Sequence, residues 1–200
     1  VAIKVLHENL DPGTRARERL VSEARILARL SDPGIVAVNE LTQLAGRQAL
    51  VMEYVPGRDL RDCLQADPPI SPRATLEVVA KVASTLHNAW SRPSDDGQPL
   101  RLVHRDIKPE NIRVTENGDV KLLDFGIAKP ASARTWSSEQ EALGTLQYMA
   151  PELFRGGEGA KQQMPARDVF GLGCALYEAL ATAPLFDHME VADVMRLGMD

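Results

Sequence analysis

The chain is 200 residues long, 44% apolar and 26% charged, with a formal net charge of −5. Those proportions suit one ordinary domain or two small lobes sharing an interface, and they exclude a disordered tail. The acidic balance, with no basic stripe along the chain, argues against nucleic acid as the main partner.

The opening run, Val1-Ala2-Ile3-Lys4-Val5-Leu6, alternates as a strand with Ala2, Lys4 and Leu6 on one face. It does not read as a signal peptide, and with valine at position 1 the chain is expected to begin inside a longer one. Asp11-Pro12-Gly13 makes a turn, and the pattern then predicts a helix over residues 14–30, stopped by Ser31-Asp32-Pro33-Gly34. Leu20, Glu23, Leu27 and Leu30 share one stripe of that helix, which puts Glu23 inside the apolar face. A carboxylate there needs a cation, and Lys4, in mid-strand, is the nearest in sequence with a similarly awkward position. Taken alone, a Glu23 at the edge of the stripe and a solvated Lys4 fit equally well.

Two further strands are predicted over residues 35–44, with a bend, and 48–54, joined by a turn at Ala45-Gly46-Arg47. Pro56-Gly57 marks the change to a helical second part. Helices are predicted near residues 60–65 and over 71–90, followed by a polar loop at 91–99. Cys63 and Cys174 match no metal or redox spacing and read as reduced core thiols of a cytoplasmic protein. The longest apolar stretch, residues 169–186, contains Glu178 and Pro184, so it reads as a buried helix ending near Thr182 and not as a membrane span.

The richest region is VHRDIKPEN, residues 103–111, running into NIRVTENGDVKLLDFG, residues 111–126. Asn117-Gly118 signals a two-residue hairpin turn; Thr115 then pairs with Val120, and Asn111 lies opposite Asp124 at the open end. An amide and a carboxylate set side by side are hard oxygen donors suited to Mg²⁺, which binds a few protein oxygens together with phosphate. Asp106, in the loop feeding the hairpin, is placed to orient and deprotonate a hydroxyl, with Lys108 close to a transferring phosphoryl group.

VAIK (residues 1–4), HRDIKPEN (104–111), DFG (124–126), GTLQYMAPE (144–152) and RDVFGLG (167–173) occur in this order over nearly the whole chain. In this combination the chain resembles a eukaryotic-type (Hanks-type) protein kinase, and most closely the bacterial Ser/Thr branch. The resemblance implies an α+β, bilobal kinase-like fold, here incomplete at both ends. Residues 1–55 would be a partial N-lobe with its hinge at 53–55, and 56–200 a partial C-lobe. It implies ATP and Mg²⁺ as cofactors and a protein Ser or Thr hydroxyl as substrate. Lys4 would hold the α- and β-phosphates and pair with Glu23. Asp106 would be the catalytic base, Lys108 a γ-phosphate contact, and Asn111 and Asp124 the metal ligands. Met52 matches the gatekeeper, the backbone from Glu53 to Val55 would read adenine, and Ala2 would pack on the ring. Arg105 would receive a phosphate carried by Thr135, Ser137 or Ser138, while Thr145 would serve the substrate pocket.

The sequence departs from the family pattern at three places. No Gly-rich loop precedes VAIK, the later C-lobe helices and the Arg expected to pair with Glu152 do not follow, and Arg113 stands where an apolar adenine floor is usual; residues 91–99 also form a longer loop than most relatives carry. For Arg113 two arrangements fit: the stem lies under the base with the guanidinium turned away, or the floor is poor. Without cover over the phosphates, the 200-residue stretch alone is expected to be weakly active or inactive. The alternative reading is a pseudokinase-like binding or scaffold module. Any membrane anchor of a parent protein would lie in segments outside this chain.

Overall fold

The computed structural model describes residues 1–5, 21, 24, 26–28, 30–94, 97–125, 144, 146–155, 165–187, 189–190, 192–194 and 196. Among them the first sheet holds β1 (Ala2–Val5), β2 (Val38–Leu44) and β3 (Arg47–Met52), antiparallel in the order β1-β3-β2. Ala45 (φ 50°) and Gly46 (φ 79°) both adopt the left-handed conformation that a two-residue hairpin turn requires. Leu44 therefore pairs directly with Arg47, which belongs to the strand and not to the turn. The expected strand over 35–44 divides. Its register slips between Val38 and Glu40, and Ile35 bridges in parallel to Leu122 of the other sheet.

Of the predicted first helix, Val21, Ala24 and residues 26–28 are helical, and Ala24, Leu27 and Leu30 are buried as the apolar stripe requires. Leu20 and Glu23 lie outside the described residues, as do Gly126, Thr135, Ser137, Ser138 and Thr145.

The second sheet is built from β4 (Arg58–Asp59), β5 (Ile112–Val114) and β6 (Val120–Leu122), in that order. Its hairpin differs from the sequence expectation by one residue: Val114 pairs with Val120 and Ile112 with Leu122. The cause is the loop. Gly118 alone takes the left-handed conformation (φ 79°), its N–H reaches Thr115 O at 3.0 Å, and Thr115 N–H reaches Asp119 O at 2.9 Å. An odd-length loop replaces the two-residue turn and shifts every pair. Asn111 consequently meets Leu123, whose N–H donates to its carbonyl at 2.9 Å, and Asp124 stands one residue beyond.

Helix α1 (Leu60–Leu64) is capped by Asp59, which accepts from Asp62 N–H at 2.8 Å. Helix α2 (Pro72–Ser91) starts on Ser71, whose hydroxyl accepts from Ala74 N–H, with Pro72 in the first turn where no amide donor is needed. Its buried positions Thr75, Val78, Val82, Thr85 and Ala89 recur at helical spacing, and the helix packs against α4 (Ala166–Ala181). A short helix, α3 (Glu152–Arg155), precedes α4, which ends on Thr182 in the left-handed conformation (φ 60°). The loop after α2 is drawn together by a bridge between Pro93 and Pro99. One core joins Leu27, Leu30 and Ile35 to Leu60, Val82, Ile107, Ile112, Leu122, Phe125 and Leu172. The architecture is α+β, and no described helix is long and apolar enough to cross a membrane.

Two features lock α4 to the loop that precedes β5. At Gly171 a Cβ would lie 2.8 Å from Ile107 O, so the helix and the loop touch through backbone. Deeper in, Arg61 of α1 donates from Nε to Glu110 (3.0 Å) and from Nη2 to the Tyr148 hydroxyl (2.6 Å), and pairs through Nη1 with Glu178 of α4. Tyr148 in turn donates to the second oxygen of Glu178, which is buried. Burial opposes the charge on Arg61, but Tyr148, Glu110 and Glu178 outweigh it and hold its pKa above the ordinary arginine value. Burial, reinforced by Glu178, raises the Tyr148 phenol, so Tyr148 remains a donor.

Arg61→Met leaves Glu178 without its cation, and urea unfolding should show a loss of about 3–5 kcal/mol. Adding Glu178→Leu to that variant should restore most of it, because the buried charge is then gone. A single-variant loss below about 1 kcal/mol would show that the network does not hold α1 to α4.

Candidate functional site

The site grows from His104-Arg105-Asp106. His104 has 0% exposure, and its ring lies 4.5 Å from that of Phe125. Asp106 N–H donates to Nδ1 at 3.3 Å, so Nε2 carries the proton and donates to Leu123 O at 2.7 Å. The imidazole thus ties the loop to the strand end that carries Asp124. Burial pushes its pKa below the ordinary 6.5, against the opposing influence of Asp168 and the Leu123 bond, and keeps it neutral.

Asp168, near the start of α4, accepts from His104 N–H (2.7 Å) and Arg105 N–H (2.8 Å). Burial raises its carboxyl above the ordinary 3.8, and the two N–H donors counter part of that rise. Between these bonds Arg105 is held at φ 71°, a left-handed conformation that a non-glycine residue keeps only where its surroundings impose it. The turn at Arg105 delivers Asp106.

Asn111 closes the turn. Its side-chain Nδ2 donates both to Asp106 O (2.7 Å) and to Asp106 Oδ2 (2.9 Å), and Asn111 is 7% exposed. Both bonds use the amide nitrogen, so Oδ1 is the atom able to face a cation. The Leu123 N–H bond to Asn111 O brings the next residue, Asp124, alongside. Asp124 is also left-handed (φ 55°), which a short polar side chain tolerates. Its Oδ1 lies 2.7 Å from Lys4 Nζ, so the carboxylate expected to hold a metal is paired with the lysine expected to hold phosphate. Asp106 and Asn111 are therefore in direct contact, as are Asp124 and Lys4, and the Leu123 N–H bond to Asn111 O links the two pairs through backbone. Asn111 Oδ1 and the Asp124 carboxylate are two hard oxygens on neighbouring backbone, a donor set that fits Mg²⁺. Lys108 sits between Asp106 and the short 3₁₀ turn Pro109–Asn111, half-buried and with extended backbone.

The other wall comes from the first sheet. Ala2 pairs with Met52 across β1 and β3, which sets these two side by side next to residues 53–55. Glu53 N–H donates to Ala37 O at 2.8 Å, while its carboxylate accepts from Ala37 N–H (3.2 Å) and Lys121 Nζ (2.9 Å). Burial alone would raise the Glu53 carboxyl, but the Lys121 and Ala37 bonds outweigh it and hold it below the ordinary value. Arg113 Nε donates to Val55 O at 3.2 Å, which turns the guanidinium toward the 53–55 segment. Beneath Asp106 a pocket is lined by Arg105, Tyr148, Met149, Leu153 and Arg167.

Sequence reasoning assigned no part to Asp168, Lys121, Arg61, Tyr148 or Glu178. For Glu178 the signal was present. A carboxylate inside an apolar helical run demands a cation, the same argument that singled out Glu23.

His104 gives this arrangement a pH dependence. Its folded pKa is depressed, so the stability it contributes is complete above the unfolded value of 6.5 and is lost as pH falls below it. The urea midpoint of the protein should therefore drop below pH 6.5. His104→Gln should be less stable at neutral pH with a shallower drop. An equal slope in both would mean that His104 is not the neutral buried group.

Comparison with known proteins agrees with this geometry. The profile of the protein kinase domain family matches residues 1–200. Serine/threonine-protein kinase PknB of Mycolicibacterium smegmatis is 38% identical over 195 residues, covering 93% of this chain and 29% of that protein. Probable serine/threonine-protein kinase PknB of Lactococcus lactis is 32% identical over 187 residues, covering 94% of this chain and 28% of that protein. Serine/threonine-protein kinase PknH of Mycobacterium tuberculosis is 34% identical over 184 residues, covering 92% and 28%. The chain thus spans less than a third of the length of these curated relatives. A crystal structure of Rad53 1–466 in complex with AMP-PNP superposes with a TM-score of 0.69 at 25% identity, covering 90% of this chain and 42% of that one.

Proposed function

The chain belongs to the protein kinase domain family, and from that premise we propose that it is the catalytic part of a Ser/Thr protein kinase that uses ATP and Mg²⁺. The observation that carries the reading is the pair of hydrogen bonds that Asn111 Nδ2 donates to the Asp106 carbonyl and carboxylate, with Asp124, one residue beyond the bonded Leu123, paired with Lys4. A base, an amide oxygen, a metal-type carboxylate and a cation meet in one place, as phosphoryl transfer needs.

In this reading residues 1–55 and 56–200 are the two lobes. The nucleotide lies between Ala2 and Met52 above and the second sheet below, with its base against the backbone of Glu53 to Val55. Lys4 exchanges Asp124 for the α- and β-phosphates, with Glu23 as the partner that the family resemblance assigns to it. When bound, Mg²⁺ neutralises charge on the phosphates, held by Asn111 Oδ1 and the Asp124 carboxylate. The substrate hydroxyl oxygen forms a bond to the γ-phosphorus as the bond to the bridging oxygen of ADP breaks, and its proton passes to the Asp106 carboxylate. Lys108 meets the transferred group. The pocket beside Asp106 lined by Tyr148, Met149 and Leu153 is where the substrate peptide would rest. The neighbouring cation Arg105 suits a phosphorylated residue between Asp124 and Glu152.

In the natural polypeptide carrying this sequence, Asp106→Asn should lower phosphotransfer to protein Ser or Thr by about 10²–10⁴-fold, the range of a lost general base. Lys4→Met should lower it by a comparable factor. Turnover unchanged in either variant would overturn the assignment and leave a binding module as the better reading.

A further inference from the structure

The polar stretch 91–99, longer than the family pattern at this point, has no part in the site described so far. Its two arms form a small ribbon. Pro93 bridges Pro99 in antiparallel fashion, Ser94 N–H donates to Gln98 O at 2.7 Å, and Leu100 N–H donates to Arg92 O at 2.8 Å. Arg101 N–H then reaches back to Trp90 O at 3.0 Å, which seats the ribbon on the end of α2. Arg92 is thus held through its carbonyl by the ribbon and through its N–H by Asn88 O of α2. From that fixed backbone its guanidinium donates, through Nη1, to the Ser31 carbonyl, 61 residues away in sequence.

Ser31 opens the stretch 31–37, which is bonded to both sheets. Leu122 of β6 donates its N–H to Gly34 O (2.7 Å) and accepts from Val36 N–H (3.0 Å). Ala37 O accepts from Glu53 N–H (2.8 Å), and Ala37 N–H donates to the Glu53 carboxylate (3.2 Å). On the helix side, Asn88 Nδ2 meets Asp32 Oδ2 at 3.4 Å. A Cβ at Gly34 would lie 2.1 Å from Thr85 Oγ1, so the stretch lies directly against α2. Leu122 stands two residues before Asp124, and Glu53 follows Met52 of β3, the strand paired with the one that carries Lys4. A shift of the 31–37 stretch therefore displaces Asp124 relative to Lys4.

We infer that Arg92 is a positioning residue for phosphoryl transfer: clamped by the ribbon onto the Ser31 carbonyl, it seats the 31–37 stretch and so fixes Asp124 opposite Lys4. This rests on the kinase reading above and adds to it a brace that lies outside the catalytic motifs. The donor is charged, which makes the bond stronger than a neutral one. A single contact of this kind is one that a lysine ammonium can also make and a methyl group cannot.

The test measures steady-state phosphotransfer and backbone amide exchange in the natural polypeptide and in its Arg92→Ala and Arg92→Lys variants. Arg92→Ala should lower kcat roughly 3- to 10-fold, the scale of one lost hydrogen bond, with KM for the protein substrate unchanged. The amides of Val36 and Leu122 should exchange faster by a similar factor. Arg92→Lys should recover most of both effects. An Arg92→Ala variant with a lower urea midpoint but wild-type kcat would overturn the inference, because Arg92 would then act on stability alone. So would an equal loss of kcat in both variants, since the bond to Ser31 O would not be what acts. Faster exchange at Val36 and Leu122 in Arg92→Ala, with no phosphotransfer by the folded wild type, is a different pattern. It would leave the clasp standing and overturn the kinase reading itself.

Discussion

The site depends first on a single buried carboxylate. Asp168 is 4% exposed and accepts from two consecutive backbone N–H groups, His104 and Arg105. An ionised carboxylate so placed is costly without donors, and a loop turning through a left-handed arginine is costly without a brace. Each supplies what the other lacks. Because Asp168 stands in the first turn of α4, the position of Asp106 is set by a helix that packs on α2 and touches Ile107 at Gly171. The chemistry is thereby carried by rigid elements even though its residues lie in a loop.

A second joint connects the two sheets. Lys4 and Asp124 form a half-exposed ion pair, 37% and 40% exposed at the side chains, and solvent screening makes such a pair a small contributor to stability. Its consequence is placement. It sets the lysine of β1 beside the carboxylate that follows β6, and both partners can exchange each other for phosphate and a cation at little cost. The 53–55 segment is fixed more firmly, with Ala37, Lys121 and Arg113 all bonded to it.

Much of this was legible in the sequence wherever the signal was local. Ser71 announced the start of α2, Thr182 the end of α4, and the alternation around Lys4 the first strand. The motif residues Asp106, Asn111 and Asp124 do converge. The register that brings them together was misjudged, because Asn117-Gly118 reads as a two-residue turn while the chain uses Gly118 alone in the left-handed region. Ile35 left its expected strand to bridge Leu122, a choice made by burial in the shared core and not by propensity. Least legible were contacts between distant positions. Nothing near Arg61 in sequence points to Glu178, 117 residues away, or to Tyr148, 87 away. Polar partners of this kind follow from topology, and a sequence pattern shows only that a partner is needed.

The central claim is that Asp106, Asn111, Asp124 and Lys4 together transfer a phosphoryl group from ATP to a protein hydroxyl. The most direct measurement is transfer of γ-labelled phosphate from Mg·ATP to protein by the natural polypeptide carrying this sequence, followed by identification of the modified amino acids. The account predicts label on serine or threonine that vanishes when Mg²⁺ is chelated. Label confined to tyrosine, or no transfer by a folded protein that binds Mg·ATP, would contradict it.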